Sequence, residues 1–112
     1  MTLWERYRLV RWQTEEICRP LQVEDYGLQC MDDASPPKWH LAHTTWFFET
    51  FLLLRHHKGY LPFHPAFNEI FNSYYLGVGK PFNRARRGHL SRPTVQAVYT
   101  YRSHVDEALG DL

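Results

Sequence analysis

Hydrophobic positions fall into three blocks along the chain. Leu3, Tyr7, Val10, Thr14 and Ile17 recur at three- and four-residue spacing, which predicts a first helix ending near Pro20. Residues 21–34 mix Gly27 with acids and polar side chains and read as a connection. The next stretch, SPPKWHLAHTTWFFETFLLLRHHKG from Ser35 to Gly59, is apolar nearly all the way round a helix. Ser35 as N-cap and Pro36 in the first turn predict a second helix running to about His57 and ended by Gly59.

Residues 58–92 hold several prolines and glycines and predict a long irregular segment, with a short helix around residues 65–75. Its aromatics, among them Tyr60, Phe63, Phe67, Phe71, Tyr74, Tyr75 and Phe82, predict that it packs against the helices. A third helix is expected from near Pro93, capped by Ser91 or Arg92. It puts Val95, Val98, Val105, Leu109 and Leu112 on one face, a stripe that Arg102 interrupts. No segment alternates as a strand does. The fold class is therefore all-α, a helical bundle of about three long helices with a long aromatic and basic loop. Three such helices leave a stripe uncovered and the third runs to Leu112 without a cap, so the bundle is expected to be incomplete.

Composition narrows this further. With 112 residues the chain is at most one domain, and 44% hydrophobic with 16% aromatic residues is enough for one core. A formal net charge of +1 is too small for a nucleic-acid-binding face, although seven histidines make the balance depend on pH. Cys18 and Cys30 form no CxxC pair and no disulfide framework, which predicts reduced thiols and a cytoplasmic protein. The N-terminal MTLWERYRLVRW has no apolar core of a signal peptide. The most apolar run, residues 46–54, contains Glu49 and is far short of the roughly 20 residues that span a bilayer.

Candidate chemistry centres on the second helix. At 100° per residue His43 shares a face with Trp39, Trp46, Phe47, Thr50 and Leu54, with His40 about 60° and Glu49 about 120° away. An imidazole on that face is either a hydrogen-bonded core histidine or a metal ligand projecting into the bundle, and HxxH alone does not decide, because a tight site needs three or more ligands. His56 and His57, beside Arg55 and Lys58, fit capping of a helix C-terminus. His64 has no evident partner, and His104 either pairs with Glu107 or faces solvent. Lys80, Arg84, Arg86, Arg87 and Arg92 form a basic stretch that is a solvated loop, an anion site for a substrate carboxylate or a weak nucleic-acid contact. Within it Arg84 and Arg87, at i and i+3, suit a carboxylate.

The blocks KWHLAHTTWFFE, FNSYY and RPTVQAVYTYRSHVD, in that order, resemble the N-terminal DinB-like region of ergothioneine-biosynthesis sulfoxide synthases, over nearly the whole chain from about Trp4 onward. The resemblance implies that residues 1–112 are the N-terminal part of a DinB-like domain. It also implies a parent enzyme with a C-terminal domain of the formylglycine-generating-enzyme type. In that family a non-haem Fe(II) held by three histidines uses O2 to join the sulfur of cysteine or γ-glutamylcysteine to hercynine. By position His43 matches the first iron ligand, and Arg84 with Arg87 match a pair that binds carboxylates of the thiol substrate. The two further histidine ligands belong to an HxxxHxE-type motif that this sequence lacks and are expected beyond Leu112, so the chain alone is expected to be inactive. Neither nucleic acid nor membrane is implied as a partner. Two other readings are a DinB-like metal-dependent thiol transferase and a non-catalytic helical module with His43 merely buried.

Overall fold

A computed structural model describes residues 1–72 and 82–112. Serine 73 through proline 81 (Tyr74, Tyr75, Gly77, Gly79 and Lys80 of the expected loop among them) lie outside the described residues. Four helices organise the rest: α1 (Leu3–Cys18), α2 (Pro37–Phe48), a short α3 (Phe67–Phe71) and α4 (Val95–Gly110). The all-α expectation holds among the described residues, whose only β pairing is an isolated bridge between Met31 and Ala34. Among the described residues no helix is long and apolar enough to cross a membrane.

Helix starts follow local chemistry, at slightly different residues from those expected. Thr2 caps α1 through a capping box with Glu5. For α2 the cap is Pro36 and Pro37 opens the helix, one residue later than predicted, because a residue that precedes a proline is kept extended, here Pro36 at ψ 154°. For α4 the cap is Thr94, whose hydroxyl accepts from the Ala97 amide, in place of Ser91 or Arg92. The connection after α1 contains a 3-10 turn, Val23–Gly27.

The long apolar helix is not one regular α-helix. After Phe48 it widens into a π-helical turn, Glu49–Leu53, and closes with an α-turn, Leu54–His56. Such a turn shifts the face that later residues present, so Leu54 is exposed although regular periodicity placed it beside His43. Beyond it, the Tyr60 amide bonds to the His57 carbonyl, with Gly59 at φ +83° in the third position of the turn. Gly59→Ala should therefore cost about 1–2 kcal/mol, the penalty of a left-handed Cβ, read as a shift of the urea midpoint.

α1 faces the core with a side that apolar periodicity does not reveal. Leu3, Val10 and Ile17 are 83%, 59% and 78% exposed, while Tyr7, Arg11 and Cys18 turn inward. Arg11 donates to Asp106 at 2.8 Å and to the Thr45 hydroxyl at 2.7 Å, and the Tyr7 hydroxyl donates to the same Asp106. Arg102 does not interrupt the α4 face to reach water. It is buried, donating to Glu15 at 3.0 Å, to the Leu41 carbonyl at 2.9 Å and to the Arg11 carbonyl at 3.2 Å. Burial and the neighbouring Arg11 lower its pKa, opposed by Glu15, yet a guanidinium keeps its charge. The two arginines thus hydrogen-bond α1 to both α2 and α4.

The apolar core lies between α2 and α4 and includes Trp39, Leu41, Trp46, Leu53, Val98, Tyr101 and Val105, closed at one end by Phe67 and Phe71. An apolar groove of about 570 Å³ runs between α1, α2 and α4, with Tyr7, Val10, Phe48, Leu52, Leu109 and Leu112 among its lining residues. Leu112, expected on the buried face of the last helix, lines the groove but is exposed.

Candidate metal and substrate site

Trp39, His43 and Trp46 occupy one face of α2 at i, i+4 and i+7, the spacing that stacks side chains on successive turns. Their rings are nearly parallel. The imidazole lies 4.6 Å from the Trp39 ring at 11° and 5.6 Å from the Trp46 ring at 19°. Each of the three also points a ring nitrogen at α3 or its rim. Trp39 Nε1 donates to the Ile70 carbonyl at 2.9 Å and Trp46 Nε1 to Asn68 Oδ1 at 2.9 Å. His43 Nδ1 lies 2.6 Å from the Phe71 carbonyl.

That last contact fixes the tautomer. A carbonyl only accepts, so Nδ1 carries the proton and Nε2 keeps the lone pair. Among the described residues no group bonds Nε2. Burial lowers the His43 pKa, against the raising effect of the Phe71 bond, and Arg87 and His40 lower it further. The neutral, ligand-competent ring is the favoured form.

Arg84 and Arg87 sit on a 3-10 helix, Arg84–His89, where residues three apart are eclipsed and so share a face. Asn83 caps it through the Ala85 amide, and Gln29 clasps it from across the chain. Gln29 Nε2 donates to the Arg84 carbonyl at 2.6 Å, and the Gly88 amide donates to Gln29 Oε1 at 2.6 Å. A Cβ at Gly88 would come within 2.7 Å of the Gln29 Cβ, which explains the glycine. Arg87 is buried, with its guanidinium carbon 3.5 Å from the Trp39 ring centroid, and it donates to Ser35 Oγ at 2.9 Å and to the Phe82 carbonyl at 3.0 Å. Trp39 therefore joins the guanidinium to the imidazole. Arg84 is half-buried on the same segment, whereas Arg86 and Arg92 are exposed.

The other sequence candidates sort differently. His40 is exposed and meets Trp39 edge-on. His56 is exposed in the last turn of the long helix, beside Arg55. His64 does have a partner: its Nδ1 accepts from the Ala66 amide, and its ring stacks on Phe67 at 4.7 Å. His104 is exposed, the second of its two expected placements, and its ring also meets Tyr60 and Phe63. Cys18 is buried with its thiol pushed up by burial, and Cys30 is exposed.

Glu49 matters more than its position on a helical wheel suggested. The carboxylate is buried and accepts from the Tyr60 hydroxyl at 2.6 Å, the Tyr101 hydroxyl at 2.9 Å and the Phe63 amide at 3.0 Å. Burial raises both phenol pKa values, with the Glu49 charge adding to the shift, so both hydroxyls stay protonated as donors. A glutamate followed eleven residues later by a tyrosine carries no such signal in one sequence.

Iron would find in His43 a donor of the right kind. Its second nitrogen is tied to a backbone carbonyl, the usual support for a ligating imidazole, and the two indoles hold the ring plane. The fit is that of one donor, since among the described residues no group of three His, Cys, Asp or Glu side chains comes together. No family model and no curated protein matches the chain, so the geometry of this face is what a functional reading rests on.

Proposed function

We propose that this chain is the N-terminal portion of a non-haem iron(II), O2-dependent sulfoxide synthase that joins the sulfur of cysteine or γ-glutamylcysteine to hercynine, in a DinB-like bundle of the cytoplasm. The observation that carries the reading is the His43 ring, oriented between Trp39 and Trp46 with Nδ1 bound to the Phe71 carbonyl and Nε2 left as its lone pair. A merely buried core histidine needs a bond from one nitrogen. It does not need a ring held on both faces with its second nitrogen unengaged.

His43 would supply one of three imidazole ligands, and the other two are expected from sequence beyond Leu112. Bound there, Fe(II) would supply open positions at which a thiolate and O2 can meet. The chain's own residues do the rest. Trp39 and Trp46 hold the two faces of the ring, and the Phe71 carbonyl holds the proton on Nδ1. The guanidinium of Arg87, with that of Arg84 on the same face of its 3-10 helix, is suited to a carboxylate of the sulfur donor. Free Cys18 and Cys30 fit a reducing compartment.

The test starts with the coding sequence past codon 112. The reading expects an open frame with an HxxxHxE helix, and a product that, loaded with Fe(II), forms a sulfoxide from hercynine and cysteine or γ-glutamylcysteine, with turnover abolished by His43→Gln. A stop after Leu112 would sink it. So would a product that adds a thiol to an electrophile without consuming O2, the behaviour of a thiol transferase.

A further inference from the structure

Lys38 lies in the first turn of α2 and is only 8% exposed, an unusual place for an ammonium. Its Nζ donates to the Leu90 carbonyl at 2.9 Å. That satisfies one of three protons and none of the charge, because among the described residues no carboxylate lies within ion-pair distance of it. A buried cation without a counter-charge is costly, and burial with nearby Arg92 already presses its pKa down. Beside it is a cavity of about 320 Å³, lined by Lys38 together with Glu24, His89, Ser91, Thr94 and Val95.

The other groups around this cavity favour negative charge. Thr94 and Val95 are the cap and first residue of the 16-residue α4, whose first-turn amides lack intrahelical partners and carry the positive end of the helix dipole. The Thr94 hydroxyl takes the Ala97 amide, which leaves the Val95 and Gln96 amides to a guest. His89 and Ser91 add a titratable ring and a hydroxyl donor. Glu24 is exposed and opposes a highly charged guest, which favours a small one.

We propose that the cavity between the amino ends of α2 and α4 binds a small oxyanion, the phosphate or carboxylate group of a metabolite, with Lys38 as its cationic anchor. The anion supplies the counter-charge that the fold withholds from Lys38. It rests neither on His43 nor on Arg87, so its failure leaves the iron reading untouched.

The experiment is a titration of the 112-residue chain, without metal, at constant ionic strength in chloride. Inorganic phosphate is used in one arm and acetate in the other. Amide spectra and the Lys38 Nζ resonance are followed. The site predicts saturable shifts of the Val95 and Gln96 amides and a rise in the Lys38 pKa, with binding weakened about tenfold in Lys38→Met, one decade in Kd. A response to phosphate alone assigns a phosphate-bearing ligand, and a response to both assigns a carboxylate-tolerant site. If neither anion gives saturable shifts, or Lys38→Met binds as tightly as the wild type, the proposal is wrong. Should the variant fail to fold, the wild-type Lys38 pKa decides, and no change on adding either anion overturns it.

Discussion

Replacing Arg102 by alanine is expected to lower the stability of the fold by about 3–5 kcal/mol, a large part of the 5–15 kcal/mol that a domain of this size has in total. The side chain is buried and donates to groups on two other helices: Glu15 and the Arg11 carbonyl on α1, and the Leu41 carbonyl on α2. Truncation removes one donor from each of two carbonyls, of which Leu41 keeps the Thr45 hydroxyl, takes the ion-pair partner from Glu15, and opens a void of several methylenes. Arg102→Met fills the void but not the bonds, so it should recover only part of the loss. Urea unfolding followed by tryptophan fluorescence measures both. A loss below about 1 kcal/mol for the alanine variant would mean that water replaces the guanidinium and that the helices are not tied together this way.

Trp46→Ala should cost a similar amount, about 3–5 kcal/mol, because the indole is 1% exposed and sits where α2 meets α3. It should also do something that an ordinary core deletion does not. The indole supports one face of His43 and its Nε1 holds Asn68 on α3, the helix whose last carbonyl, at Phe71, fixes the His43 tautomer. With Trp46 gone, the Nδ1 proton of His43 should lose its slow exchange with water and its single tautomer, both visible in imidazole nitrogen shifts. Trp46→Phe keeps most of the buried ring and loses one hydrogen bond. It should cost about 1 kcal/mol more than its lost area explains and should leave the tautomer mixed. An unchanged His43 spectrum in both variants would show that α3 is held by other contacts.

The sequence displayed some of this and hid the rest for physical reasons. The sequence pattern located α1, α4 and the helical run from Pro37 to His56 within about two residues, though not the break of that run after Phe48, because helix-wide apolar faces leave a periodic trace. It also identified the side of α2 that carries Trp39, His43 and Trp46. The inward side of α1 was misread, since its buried residues include Arg11 and its exposed ones Leu3, Val10 and Ile17. Burial of a charge depends on partners distant in sequence, Asp106 and Thr45 for Arg11, Glu15 for Arg102, and one chain gives no sign of such pairs. The π-turn at Glu49 was hidden for the same reason, as its carboxylate is held from Tyr60, Phe63 and Tyr101. At the site, residue type and spacing singled out His43, Arg84 and Arg87, but the groups that orient them are a backbone carbonyl at Phe71 and the amide side chain of Gln29.

Whether His43 is a metal ligand is decided by the iron content of the complete gene product, reconstituted anaerobically with Fe(II), for the wild type and His43→Gln. The account predicts that the wild type retains iron through gel filtration, and that the variant loses it while its unfolding midpoint stays close to the wild-type value, because glutamine can still reach the Phe71 carbonyl. Iron retained by a folded His43→Gln variant would contradict it and return His43 to the role of a core side chain.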